Sequence, residues 1–181
     1  MLFRSHLEDA KKYKKQIKQL YRTAFPKEER APLFTLYQKA KKEQYHFYAV
    51  VDDEEFTGLI YTMEDCGIVY VFFFAIQDEK RGQGYGSKVL SLIKDKYPNR
   101  TVTLMIEDMR ETEADNYDQR IRRLKFYESN GFTQLHIYIV EAGVKYELLG
   151  TQTGVTQADF LQLMKNYLGG LLYRFIYREM K

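Results

Sequence analysis

The segment Arg81-Gly82-Gln83-Gly84-Tyr85-Gly86 carries glycine at three alternate positions. It follows the apolar run Ile68 to Ile76 and precedes a stretch with Val89, Leu90, Ile93 and Tyr97 at helical spacing. That order describes a buried strand passing through a loop into a helix. Glycine lets the backbone approach a ligand closely, successive N–H groups can share one concavity, and a helix N-terminus adds positive partial charge. The natural guest of such a loop is a phosphate or pyrophosphate.

Spacing separates the families that could claim the loop. A P-loop needs Gly, four residues, Gly, Lys and then Ser or Thr, whereas counting from Gly82 puts Ser87 at the second glycine and Val89 at the hydroxyl. A dinucleotide fingerprint needs Gly-x-Gly-x-x-Gly at the start of a parallel unit, but here the spacing is Gly-x-Gly-x-Gly and the preceding strands look antiparallel. The segment instead resembles the acetyl-CoA loop of GNAT N-acetyltransferases: Arg or Gln, two residues, Gly, one residue, then Gly or Ala. The resemblance implies one domain over residues 1–181, a mixed α/β fold with a splayed central sheet flanked by helices, and no metal. It further implies pantetheine contacts from the backbone of Phe74, Ala75 and Ile76. Pyrophosphate contacts would come from Arg81, Gly82, Gln83, Gly84, Tyr85, Gly86 and Ser87.

A second segment supports the same family. Lys125-Phe126-Tyr127-Glu128-Ser129-Asn130-Gly131-Phe132 resembles its later signature: Phe or Leu, Tyr, Glu, two residues, Gly-Phe. Acetyl transfer from a thioester to an amine needs a neutral amine, a stabilised oxyanion and a proton for the departing thiolate. The resemblance implies that Tyr127, one of 16 tyrosines, supplies that proton. Family members often carry Asn seven residues before this Tyr and Ala four before it. Here Arg120 and Arg123 stand there, so Asn116 is the candidate for the pantetheine-facing role. Arg120, Arg122 and Arg123 face either the CoA phosphates or solvent, the latter with Asp118 and Arg122 paired. No carboxylate lies on the strand before the loop, which reads Tyr70-Val71-Phe72-Phe73-Phe74. Glu107 is the first candidate base for the incoming amine and Glu29 the second; a water chain could serve instead.

These residues need elements to hold them. An amphipathic first helix carries Ala10, Tyr13, Ile17, Leu20, Tyr21 and Ala24 on one face. A second opens near Pro32 with Leu33, Leu36, Tyr37 and Ala40 inward. Strands are expected at Tyr45 to Val51 and Phe56 to Met63, joined by the acidic Asp52-Asp53-Glu54-Glu55. The Ile68 to Ile76 strand is apolar on both faces and therefore central. A helix from about Gly84 to Lys96 stops before Pro98, and a strand follows at Thr101 to Glu107. Next comes a helix from about Asn116 to Ser129, closed by Asn130-Gly131 in left-handed form. Strands near Phe132 to Val140 and Lys145 to Leu149 precede a last helix capped by Thr156 and Asp159.

Composition sets the remaining bounds. A chain of 181 residues that is 45% hydrophobic can bury one core. A net charge of +3 is too mild for a nucleic-acid or membrane footprint. The lysines of the first helix read as a solvated face, with an RNA or ribosomal partner as the rival. One cysteine, Cys66, rules out an internal disulfide, is expected to be buried or inert, and with no signal-peptide pattern leads to the expectation of a reducing cytoplasm. No apolar run approaches the roughly 20 residues of a membrane span. The expected activity is acetyl-CoA-dependent N-acetylation of a primary amine on a small molecule or peptide, with a homodimer possible as in many GNAT proteins. The alternative is a non-catalytic acyl-CoA binding module or sensor.

Overall fold

The structure, a computed structural model, describes residues 5–178; the outermost ends of the expected 1–181 domain lie outside them. The chain forms two compact units. One holds residues up to Met63 with Val71–Pro98, the other Glu64–Tyr70 with the residues from Asn99 onward.

In the first unit, strand β1 (His6–Asp9) pairs antiparallel with β2 (Tyr45–Asp52), and β2 pairs with β3 (Glu55–Asp65). Asp53 and Glu54 join β2 to β3 with φ of 45° and 68°, the left-handed pair that a two-residue hairpin needs. Between β1 and β2 lie a 3-10 turn (Ala10–Tyr13), helix α1 (Lys14–Ala24) and helix α2 (Leu33–Lys39). The Asp9 carboxylate accepts from the Lys11 N–H at 2.8 Å and starts the turn. Helix α1 buries Ile17, Leu20 and Tyr21, and α2 buries Leu36. Each such aliphatic side chain contributes about 1.5–3 kcal/mol when fully buried. Strand β4 (Ile68–Ile76) is almost wholly buried, and helix α3 (Tyr85–Lys96) packs Val89, Leu90 and Ile93 inward.

The second unit contains β5 (Thr101–Glu107), α4 (Tyr117–Ser129), β6 (Thr133–Glu141), β7 (Val144–Gly150), α5 (Gln157–Leu168) and α6 (Gly170–Ile176). Strand β7 runs antiparallel to both β5 and β6. Thr156 and Asp159 close a capping box on α5, as the sequence predicts. The seven strands follow the order β1-β2-β3-β4-β5-β7-β6 in one mixed sheet.

The parallel pairing of β4 with β5 is short. It runs from Ile68↔Thr101 to Tyr70↔Thr103 and stops. Beyond it β4 continues in the first unit, while β5 continues along β7.

Three features depart from the sequence reading. Strand β1 was not expected, because four residues of mixed polarity carry no alternation; its pairing with β2 makes it a strand. Helix α6 was also missed, since Gly169-Gly170 masks its start. Cys66 is exposed, not buried. It sits at φ 48° in the turn after β3, where local desolvation and the nearby Asp65 carboxylate push its thiol up. The thiolate, the reactive form, is disfavoured there. No described helix is long and apolar enough to cross a membrane.

Candidate functional site

In the first unit the backbone of β4 leads into the glycine loop. The Gln77 N–H donates to the Thr57 carbonyl at 2.9 Å, and the 3-10 turn Asp78–Lys80 follows. Gly58 on β3 has no alternative: a Cβ there would stand 2.5 Å from the Ala75 carbonyl oxygen. Close approach of β3 to the end of β4 therefore depends on glycine. Phe74 is half-buried, while Ala75 and Ile76 are buried.

The loop is braced by side chains that turn back on it. Arg81 Nε donates to the Ile76 carbonyl at 3.3 Å, its guanidinium lies 2.9 Å from Asp78, and the Gln83 amide donates to the Glu79 carbonyl at 2.7 Å. Gly82 and Gly84 have φ of 71° and 89° and are exposed. No atom lies within 4 Å of where a Gly82 Cβ would stand. Gly84 immediately precedes α3, so the first N–H groups of that helix lack helical partners. Tyr85 is buried and its hydroxyl donates to Asp52 at 3.1 Å, so its side chain anchors the helix. Ser87 is half-buried in the first turn of α3. A backbone cradle over open space at a helix N-terminus fits a pyrophosphate.

In the second unit, Tyr127 is fixed by the turn that ends α4. The Phe132 N–H donates to the Tyr127 carbonyl at 3.1 Å and the Gly131 N–H to the Glu128 carbonyl at 3.0 Å. With Gly131 at φ 81°, these two bonds make a Schellman motif. Its apolar contact is Tyr127 against Phe132, with centroids 5.9 Å apart at 65°. Phe132 is 1% exposed, so the core holds the motif. The Tyr127 hydroxyl has no hydrogen-bond partner among the described residues. Desolvation pushes its pKa above the ordinary 10, and the Arg123 cation pulls it the other way. The phenol is thus protonated throughout the neutral range.

Glu107, at the end of β5, is a hub. Its Oε1 accepts from the Asn116 amide at 2.7 Å and its Oε2 from Arg123 at 2.9 Å, with Arg120 3.5 Å from Oε1. Asn116 in turn accepts from Arg120 Nε at 2.8 Å. Arg120 also donates to the Asp108 carbonyl at 2.8 Å and to Glu111 at 3.2 Å. Of the three α4 arginines, Arg120 is buried in this hub, Arg123 joins it half-buried, and Arg122 is exposed. Asp118 and Arg122 make no ion pair among the described residues. Asp108 and Glu111 were not anticipated. No local pattern marks them, because they meet Arg120 only when α4 folds over the 108–116 connection. Glu29 is exposed in a 3-10 turn (Lys27–Glu29) of the first unit. Among the described residues, no three His, Cys, Asp or Glu side chains gather as a metal requires.

The acetyltransferase (GNAT) family model matches residues 14–132, more than half of the 181-residue chain. The chain belongs to this family. By sequence, no curated protein matches it. Among solved structures, this GNAT chain is similar to a protein from Bacteroides thetaiotaomicron assigned to the GNAT family. The TM-score is 0.72 at 22% identity, covering 94% of this chain and 98% of that one. It is also similar to an aminoglycoside 6'-N-acetyltransferase complexed with coenzyme A, at TM-score 0.63 and 16% identity, covering 83% and 96%. The Escherichia coli ribosomal-protein-S18-alanine N-acetyltransferase gives TM-score 0.60 and 14% identity, covering 86% and 97%. These likenesses establish the GNAT fold.

Proposed function

We propose that the chain is an acetyl-CoA-dependent N-acetyltransferase that delivers acetyl directly to a primary amine, with Tyr127 as the proton donor to the leaving thiolate. The observation that carries this reading is a tyrosine held by a Schellman turn with its hydroxyl unengaged. Tyr127 is half-buried, so packing holds its ring while its hydroxyl stays available to a ligand. Acetyl-CoA supplies the acetyl group as a thioester: the amine nitrogen bonds to the acetyl carbon, the carbon–sulfur bond breaks and sulfur leaves with the electron pair. Tyr127 donates its O–H to that sulfur.

In this proposal the backbone of Phe74–Ile76, left without β5 pairing, binds the pantetheine arm, and the loop from Arg81 to Ser87 binds the pyrophosphate. Glu107 and Asn116 position the start of α4. For Glu107 to accept a proton it would have to release Arg123 or Asn116, and charge-assisted bonds of this kind are worth about 1.5–3 kcal/mol each. The amine's proton therefore leaves through water, with Glu29, exposed in the segment joining α1 to α2, as the second candidate. One family match running through both units supports treating them as a single acetyltransferase domain. A chain without a described membrane-spanning helix or an internal disulfide suits the cytoplasm.

Thermal unfolding with acetyl-CoA tests the reading. At about 100 times Kd, mass action adds about 2.7 kcal/mol, which raises Tm by roughly 5–10 °C in a chain of this size. No shift at millimolar acetyl-CoA contradicts it.

A further inference from the structure

Five cationic side chains line one open groove of the first unit, of about 800 Å³, and no carboxylate lines it. Lys14, Lys18 and Arg22 come from α1; Lys27 and Arg30 come from the segment joining α1 to α2. None of the five makes an ion pair among the described residues. Their neighbours behave differently: Lys11 lies 3.8 Å from Asp9 and Lys12 2.7 Å from Glu8. Lys14, Lys18 and Arg22 stand at i, i+4 and i+8, so like charges stack along one helix face, an arrangement that destabilises an isolated helix. A solvated face would intersperse acids there, as the preceding turn does.

Two lining groups are also unsatisfied. Arg30 Nε and the Tyr37 hydroxyl are buried without a hydrogen-bond partner. Buried donors are almost always paired, so each is open to an acceptor from a ligand or from water that a ligand displaces. Burial holds the Tyr37 phenol up at about 12, so it donates at neutral pH. Arginine's planar fork matches carboxylate and phosphate geometry. Pro32, Leu33 and Phe34 give the groove an apolar side. Its position relates it to the cofactor strand: Tyr21, another lining residue, packs edge-on against Phe73 at 5.1 Å, one residue before Phe74.

We propose that this groove holds the acetyl acceptor, and that the acceptor is an amine bearing a phosphate or carboxylate group. The inference rests on the acetyltransferase reading and narrows it. The same five cations repel a polyamine or an aminoglycoside, so the fold it shares with an aminoglycoside acetyltransferase does not carry over to its substrate.

The test uses phenyl phosphate and phenylacetate, titrated calorimetrically into the full chain saturated with CoA so that the Arg81–Ser87 loop is closed to them. Binding at one site is expected, weakened about tenfold or more by the Lys18→Glu/Arg22→Glu pair and by Arg30→Gln. Tyr37→Phe removes only an unpartnered hydroxyl, so its fold is safe, and it weakens binding severalfold. The tighter of the two probes identifies phosphate or carboxylate as the anion. With acetyl-CoA, phosphoethanolamine or β-alanine should exceed spermidine in kcat/KM by about tenfold or more. Absence of probe binding, binding unchanged in all three variants, or preference for spermidine overturns the proposal. If CoA itself fails to bind, the acetyltransferase reading falls, while the same probe titrations on the wild type and variants still decide whether the groove holds an anion.

Discussion

The loop after β4 and the turn closing α4 both depend on glycine in left-handed conformation, yet they use it in opposite ways. Gly82 and Gly84 sit at φ 71° and 89° and are exposed, a Gly82 Cβ would meet nothing within 4 Å, and the helix start they lead into keeps its N–H groups available. Gly131, at φ 81°, directs the N–H groups around it into the carbonyls of Tyr127 and Glu128. The first region leaves backbone donors for a ligand. The second consumes them to fix one side chain. A glycine pattern therefore signals function only through what its amides do next.

The comparison can be broken from either side. The largest effect should come from Phe132→Ala, which empties a fully buried site and costs about 3–5 kcal/mol of stability. Chemical denaturation would record that loss, and turnover should fall beyond what the folded fraction explains, because Tyr127 loses its packing partner. Gly84→Val places a β-branched residue in left-handed conformation, at about 1–2 kcal/mol. Because this exposed loop can relax out of its cradle conformation rather than hold the strain, the cost should appear as roughly tenfold weaker acetyl-CoA binding by calorimetry, with Tm little changed. Gly131→Ala is the smallest perturbation: about 1 kcal/mol and a Tm drop of roughly 2–4 °C, with acetyl-CoA affinity unaltered. If Gly131→Ala weakened the cofactor and Gly84→Val lowered Tm instead, the two roles would be reversed.

Legibility followed the range of the forces involved. Strands Ile68–Ile76 and Thr101–Glu107 match the sequence reading residue for residue. Each has a hydrophobic run ended by an abrupt change in polarity, which is a local signal. The capping box on Thr156 and the cap at Gly131 are likewise local, set by residues within one turn. Strand β1 and the Glu107 hub are not. His6–Asp9 becomes a strand through partners more than thirty residues away, and Glu107 gains Arg123 across sixteen. The cationic face of α1 was visible as composition but read as solvation. Only the placement of Arg30 and Tyr37 beside it, each with a buried donor lacking a partner, gives it chemical direction.

The role of Tyr127 is tested most directly by Tyr127→Phe, measured for acetyl-CoA affinity and for CoA release across pH with one amine. The hydroxyl makes no hydrogen bond among the described residues, so affinity and Tm should stay at wild-type values while kcat falls about 10²–10⁴-fold. Wild-type turnover should rise with pH as the amine becomes neutral, and should decline only above pH 10, where a raised phenol finally ionises. A Tyr127→Phe chain that binds acetyl-CoA normally and releases CoA at the wild-type rate would contradict the account.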